Sequence, residues 1–154
     1  MSVILPGSYD PVTLGHLELI KRASKEYDEV YAVIFTNPEK NYTFSLEERV
    51  KMLILATDEL DNVIVSYSNG LVIDYMREHG IEKIIKGYRN DVDLEYEKKQ
   101  AAWNLEFGGF ETELWQADDS MCKISSTLAR QMIEAGEDLS TVLPEKVISF
   151  IEKH

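Results

Sequence analysis

The strongest constraint on this chain's fold is a regular alternation of short apolar runs with longer stretches of helical spacing. Ser2 to Leu5 is an apolar run closed by Pro6-Gly7, the pattern of a buried strand entering a loop. Leu14 to Lys25 then carries Leu14, Leu17, Leu19, Ile20 and Ala23 at largely helical intervals. Val30, Tyr31, Val33, Ile34 and Phe35 make Glu29 to Thr36 dense enough for a second buried strand, stopped by Asn37-Pro38. Ser45, with Glu48 at the capping-box position, opens a helix reaching about Thr57 or Asp58. A strand over Asn62 to Ser66, a helix over Leu71 to His79 stopped by Gly80, and a strand over Lys83 to Lys86 follow. Val92 to Phe107 shows helical periodicity before Gly108-Gly109, and Glu111 to Trp115 reads as a fifth strand. Two helices, from about Ser126 to Ala135 and from about Pro144 to Lys153, complete the chain.

Such alternation predicts an α/β fold of Rossmann-like type, a five-stranded parallel sheet with right-handed crossovers and helices on both faces. A ligand is then expected beyond the carboxyl ends of the strands. A length of 154 residues suits one domain with one substantial core. No window approaches the roughly 18 uninterrupted apolar residues of a membrane span, and the start lacks the basic and apolar regions of a secretory signal. The single cysteine, Cys122, has no internal disulfide partner and no zinc-ligand spacing with the histidines, which fits a cytoplasmic location. A formal charge of −12 argues against general nucleic-acid binding, so a small anionic ligand requires a locally positive pocket.

The first strand-to-helix connection, Gly7-Ser8-Tyr9-Asp10-Pro11-Val12-Thr13-Leu14-Gly15-His16, lies where that pocket is expected. Gly7 allows close approach of a phosphate, Ser8 offers a hydroxyl, and His16 falls in the first helical turn near its positive end. On spacing alone the segment reads equally as a Gly- and Pro-rich turn with a surface histidine. Near the C-terminus, Ile124-Ser125-Ser126-Thr127-Leu128-Ala129-Arg130 sets three hydroxyls at a helix start, an arrangement suited to a triphosphate but commoner as a simple N-cap.

In this order the two segments resemble the signatures G-[ST]-[FY]-D-P-x-[TH]-x-G-H and I-S-S-[ST]-x-x-R of the nucleotidylyltransferase superfamily. Thr13, in place of a histidine three residues before His16, is the form of the phosphopantetheine adenylyltransferase family. Asn37 to Val50 resembles that family's substrate loop, and Ile85 to Glu97 resembles its hallmark I-R-G-[LI]-R-x-x-x-D-[FL]-E-Y-E, a match Asn104 continues. The likeness runs from residue 3 to 152, including Leu143-Pro144 and Val147. It implies adenylyl transfer from ATP to 4′-phosphopantetheine by a nucleotidyltransferase fold, with Mg²⁺ accompanying ATP and no protein metal ligand. His16 and Lys40 inherit the catalytic roles. Ser8, Tyr9, His16, Gly87, Tyr88, Arg89, Glu97 and Met121, Cys122, Lys123, Ile124, Ser125, Ser126 and Thr127 would bind the nucleotide. Ser8, Lys40, Val72 and Lys86 would bind the acceptor. A homohexamer and feedback binding of coenzyme A are further family traits.

The bare residues leave other readings open. Without the resemblance Lys40 reads more readily as a solvated lysine in a polar loop, and Glu95, Lys98 and Lys99 read as an ordinary charged helix face. Cys122 reads as a structural thiol, Met121, Trp103 and Trp115 as packing residues, and His79 and His154 as structural or solvated. Three departures from the family pattern stand out: Ser8 for threonine, Lys86 for an arginine that grips phosphate bidentately, and Met121-Cys122-Lys123 for an aromatic-rich stretch. A different phosphomonoester acceptor, or a nucleotide-binding regulator without turnover, remain the alternatives.

Overall fold

In the computed structural model, residues 1–153 are described; His154 lies outside them. The elements follow the order β1 (Ser2–Gly7), α1 (Leu14–Glu26), β2 (Glu29–Phe35), α2 (Leu46–Thr57), β3 (Val63–Ser68), α3 (Val72–His79), β4 (Lys83–Tyr88), α4 (Asp91–Gly108), β5 (Glu111–Gln116), α5 (Ser126–Ala135) and α6 (Glu145–Lys153), with one 3₁₀ turn at Asp119–Met121. All five strands are parallel, in the spatial order β3-β2-β1-β4-β5.

Strand pleating sorts the apolar runs onto two faces. Val3, Leu5, Val30, Ala32, Ile34 and Ile85 join one core with Ile20, Met52, Leu53, Ala129 and Val147 from α1, α2, α5 and α6. Ile4, Val33 and Ile84 join a smaller core with Tyr75 and Met76 of α3 and with Ile81. Chain order reverses at β1, which has β2 on one side and β4 on the other. The β1–β2 ladder runs its full length, from Ser2↔Glu29 to Gly7↔Ile34, whereas β1 pairs with β4 only at Val3↔Lys83 and Ile4↔Ile84. Beyond those residues β1 and β4 lose their pairing, and a crevice opens at the topological switch point.

Strand ends differ most from the expectation. β1 continues through Pro6 to Gly7 because β2 alone pairs with it there. β4 runs on to Tyr88 because Gly87 and Tyr88 pair with Trp115 and Gln116, and β3 reaches Ser68 opposite Phe35. A larger correction concerns α4. Its apolar residues do not form an inward stripe: Glu97 is its only buried side chain, and Val92, Tyr96, Leu105 and Phe107 are exposed. Trp103, expected to pack, is 42% exposed, while Trp115 is buried under the guanidinium of Arg22, 4.2 Å from its ring centre.

What lets the end of α4 approach α3 is a missing side chain. A Cβ on Gly108 would lie 2.5 Å from Cγ2 of buried Ile73 and 3.0 Å from its Cβ. Gly108→Ala is therefore expected to cost about 1–3 kcal/mol by overpacking, read as a lower urea-unfolding midpoint at unchanged slope; an unchanged midpoint would show that Ile73 yields freely.

Candidate functional site

The crevice between β1 and β4 is a cleft of about 590 Å³. Leu5 to Tyr9, Thr13, Gly15 and His16 line one wall, Ile85 to Arg89 with Val92, Asp93, Tyr96 and Glu97 the facing wall, and Met121 and Ile124 to Thr127 the far end. A second pocket of about 210 Å³ adjoins it and shares Pro6, Gly7, Ser8, Lys86, Tyr96 and Glu97. Val72, Gln100, Asn104 and Thr112 line only this smaller chamber.

His16 is oriented by its own helix start. Thr13 is the N-cap of α1: its hydroxyl accepts from the His16 backbone N–H at 3.3 Å, and its N–H donates to His16 Nδ1 at 3.0 Å. An imidazole thus takes the place of the carboxylate in an ordinary capping box. Because Nδ1 accepts a backbone N–H, the neutral ring carries its proton on Nε2 and can donate from there. Burial, reinforced by Lys86 and Arg89, pushes the His16 pKa down to about 4. The Tyr9 ring, tilted against the imidazole at 4.8 Å, is buried; its hydroxyl donates to the Leu5 carbonyl at 2.7 Å, and its φ of 48° bends the loop.

Five hydrogen bonds hold the loop from Ser8 to Val12. The buried Asp10 carboxylate accepts the backbone N–H groups of Thr43 and Phe44, both at 2.9 Å. Arg49 donates to the Ser8 carbonyl at 3.1 Å, Arg130 to the Asp10 carbonyl at 2.8 Å, and the Ser126 hydroxyl to the Pro11 carbonyl at 2.9 Å. The two sequence segments far apart in the chain are thereby bonded to each other. Ser125 caps α5 through Leu128 N–H at 3.0 Å, leaving first-turn N–H groups of that helix without intrahelical partners.

Cations across the cleft are held by carboxylates. Lys86 Nζ is 3.4 Å from the Pro6 carbonyl and 3.6 Å from Glu97, whose carboxyl pKa is raised by burial and drawn back by Lys86. Arg89 Nε donates to Asp93 at 2.8 Å.

Of the residues singled out in the sequence, Ser8, Tyr9, His16, Lys86, Gly87, Tyr88, Arg89, Glu97, Met121, Ile124, Ser125, Ser126 and Thr127 meet around the main cleft, and Val72 lines the side chamber. Lys40 stands apart on an exposed turn, and Lys123 is exposed beside Cys122, whose thiol faces the carbonyls of Ala117 and Asp118. Asp10, Arg49, Asp93 and the cap function of Thr13 were not singled out. The Thr13-x-x-His16 spacing carries the last of these, as a capping box with histidine for glutamate; nothing local marks Arg49 as buried.

A parallel sheet that opens a cleft lined by Lys86, Arg89 and the His16 imidazole at its switch point is the architecture of a Rossmann-like nucleotidyltransferase. Residues 4–132 match the model of the family described as cytidylyltransferase-like. The sequence is also 38% identical, over 99% of this chain and 97% of the relative, to the phosphopantetheine adenylyltransferase of Corynebacterium efficiens. The chain belongs to the cytidylyltransferase-like nucleotidyltransferases, and within them to the phosphopantetheine adenylyltransferase family.

The His16 environment sets a pH dependence. Its folded pKa of about 4 lies below the ordinary value of 6.5, so between those values the folded protein binds less proton than the unfolded chain. Stability from this group is complete above 6.5 and declines as pH falls toward 4. NMR of the ligand-free protein should show His16 neutral and Nε2-protonated at pH 6, with a midpoint near 4; a midpoint near 6.5 would contradict the half-buried, capped geometry.

Proposed function

We propose that this chain transfers AMP from ATP to 4′-phosphopantetheine, giving dephospho-coenzyme A and pyrophosphate. The observation that carries the reading is the meeting of two chambers at Gly7, Ser8 and Lys86. A nucleotide fits the larger chamber, with its triphosphate between the β1–α1 loop and the start of α5. The smaller chamber, with Val72, Gln100, Asn104 and Thr112, suits an amide-bearing arm whose phosphate ends at Lys86.

In the reaction an oxygen of the acceptor phosphate forms a bond to the α-phosphorus. The bond from that phosphorus to the β-phosphate oxygen breaks in line, and its electron pair leaves with pyrophosphate. No side-chain nucleophile is required, so the protein acts by alignment and electrostatics. His16 donates from Nε2 to a non-bridging α-phosphate oxygen. Lys40 swings in from its exposed turn to follow charge from attacking to leaving oxygen. Arg89 and the donors at Ser125, Ser126 and Thr127 hold the β- and γ-phosphates; Ser8, Tyr9, Gly87, Tyr88, Glu97 and Met121 to Ile124 frame the nucleoside and its phosphates. Among the described residues no group of three His, Cys, Asp or Glu side chains could hold a metal ion. Mg²⁺ would enter with ATP as part of the MgATP substrate, its charge met by phosphate oxygens and water.

The same reading extends to assembly and control. Exposed apolar side chains of α4, among them Val92, Tyr96 and Phe107, are suited to cover one another in a homohexamer. Coenzyme A, sharing the product's arm and nucleotide, would compete at the same cleft. A cytoplasmic location belongs to the same reading; among the described residues no helix is long and apolar enough to cross a membrane.

His16→Ala is expected to fold, to lose about 10²–10³-fold in kcat, and to weaken ATP binding far less. Near wild-type turnover would remove His16 from the transition state. Lys86→Arg restores a bidentate grip and should lower the KM for 4′-phosphopantetheine; an unchanged or higher KM would point to another phosphomonoester acceptor.

A further inference from the structure

Arg49, in the first turns of α2, is 2% exposed, yet among the described residues its guanidinium hydrogen-bonds to neutral groups. Nη1 donates to the Ser8 carbonyl and Nη2 to the Thr36 hydroxyl, both at 3.1 Å, while Nε has no hydrogen-bond partner. Its carbon lies 4.0 Å from the centre of the Tyr42 ring. Burying a cation against two neutral oxygens and a π face is costly, so the arrangement calls for a reason beyond packing.

The three partners belong to three different segments. Ser8 lines both chambers, Thr36 directly follows β2, and Tyr42 closes the turn that carries Lys40. Tyr42 does more than stack: its hydroxyl accepts the Asn37 N–H at 2.8 Å. Asn37 in turn builds the Lys40 turn, its carbonyl accepting Lys40 N–H at 3.0 Å and its side chain accepting Glu39 N–H at 2.9 Å. Asn37 to Asn41 is exposed and has no core to fix it. Its placement relative to Ser8 is therefore set by the Tyr42–Arg49 stack, with Asp10 anchoring Thr43 and Phe44 just beyond.

We propose that Arg49, stacked on Tyr42, is a positioning residue that fixes the base of the Lys40 turn against the phosphate loop, so that the lysine ammonium enters the cleft from a defined origin. This rests on the reading that Lys40 contacts the reacting phosphates. The latch touches no reacting atom itself. Its effect belongs in kcat, where alignment matters, and hardly in the affinity for ATP.

The test compares kcat and the KM for ATP in the wild type, Lys40→Ala, Tyr42→Leu, their double variant and Arg49→Lys, each with a thermal melt. Tyr42→Leu should stay folded, lower kcat roughly tenfold and move the ATP KM less than about twofold. In the Lys40→Ala background the same substitution should cost less than about twofold more, because there is no longer a lysine to position. Arg49→Lys keeps the charge but cannot bridge Ser8 and Thr36 while stacking on Tyr42, so it should reproduce the loss; a full rate with lysine there would overturn the proposal. If Arg49→Lys does not fold, Tyr42→Leu decides. Losses that add in the double variant, or a wild-type kcat in Tyr42→Leu beside an impaired Lys40→Ala, would overturn the positioning role alone. A wild-type kcat in Lys40→Ala would overturn the Lys40 role and this proposal together.

Discussion

Asp10 sits at the centre of the arrangement on which the cleft depends. Its carboxylate accepts two backbone N–H groups of the β2–α2 connection, and its own carbonyl accepts from Arg130 of α5. On either side of it, the carbonyls of Ser8 and Pro11 are taken by Arg49 and Ser126. A loop this close to a switch point cannot satisfy its backbone from the sheet, since β1 has already lost its pairing with β4. Each bond contributes about 0.5–1.5 kcal/mol net, and leaving a buried group unmade costs about 1–3 kcal/mol. The loop therefore has one conformation only when α2 and α5 are both docked. Its shape and the relative placement of the two signature segments are a single structural fact.

The electrostatics follow from that placement. A chain of net charge −12 must present an anion with a positive cleft, and it does so without leaving the cations free. Lys86 rests near Glu97 and Arg89 against Asp93, so both cations are held in place before any ligand arrives. In the proposed reaction phosphate oxygens compete for them with carboxylates already at hand. That exchange lowers the gain from each contact while preserving geometry. The lysine at position 86 suits this arrangement, because a point charge can turn between Glu97, the Pro6 carbonyl and an incoming phosphate, whereas a planar guanidinium would favour one of them.

The elements that proved legible in the sequence were those whose ends are chemically marked. Ser45 with Glu48, Gly80, and the Ser125 to Ser126 boundary lie where cap chemistry puts them, because caps act locally. Strand ends were not legible at Pro6 or Gly87, where a neighbouring strand, absent from any local window, decides whether extended backbone is paired. α4 shows the opposite failure: its apolar residues suggested a packed face, but they are spread around the helix and most meet solvent in the single chain. In the site, the residues at loop and strand ends were reached through the family resemblance, since spacing alone left them open to bland readings. Arg49 was missed because a buried arginine in an Glu-Glu-Arg sequence looks like any charged helix face until Ser8 and Tyr42 are brought to it.

His16 shows why neutrality at such a position is an advantage rather than a compromise. Loss of hydration, and to a lesser extent the neighbouring charges of Lys86 and Arg89, disfavour a protonated imidazole here, which is why its pKa is driven down. The neutral ring, with Nδ1 occupied by the Thr13 N–H, still presents one fixed donor at Nε2. A donor held by a helix cap needs no reorganisation when charge develops on a phosphate oxygen. It also gives no reason to bind the ground state more tightly than the transition state, since it adds no net charge to attract ATP from solution. In the proposed reaction attraction falls to Lys86 and Arg89, and alignment to the cap. Separating the two tasks lets the same short segment serve as a helix start and as the point around which the proposed transfer is organised.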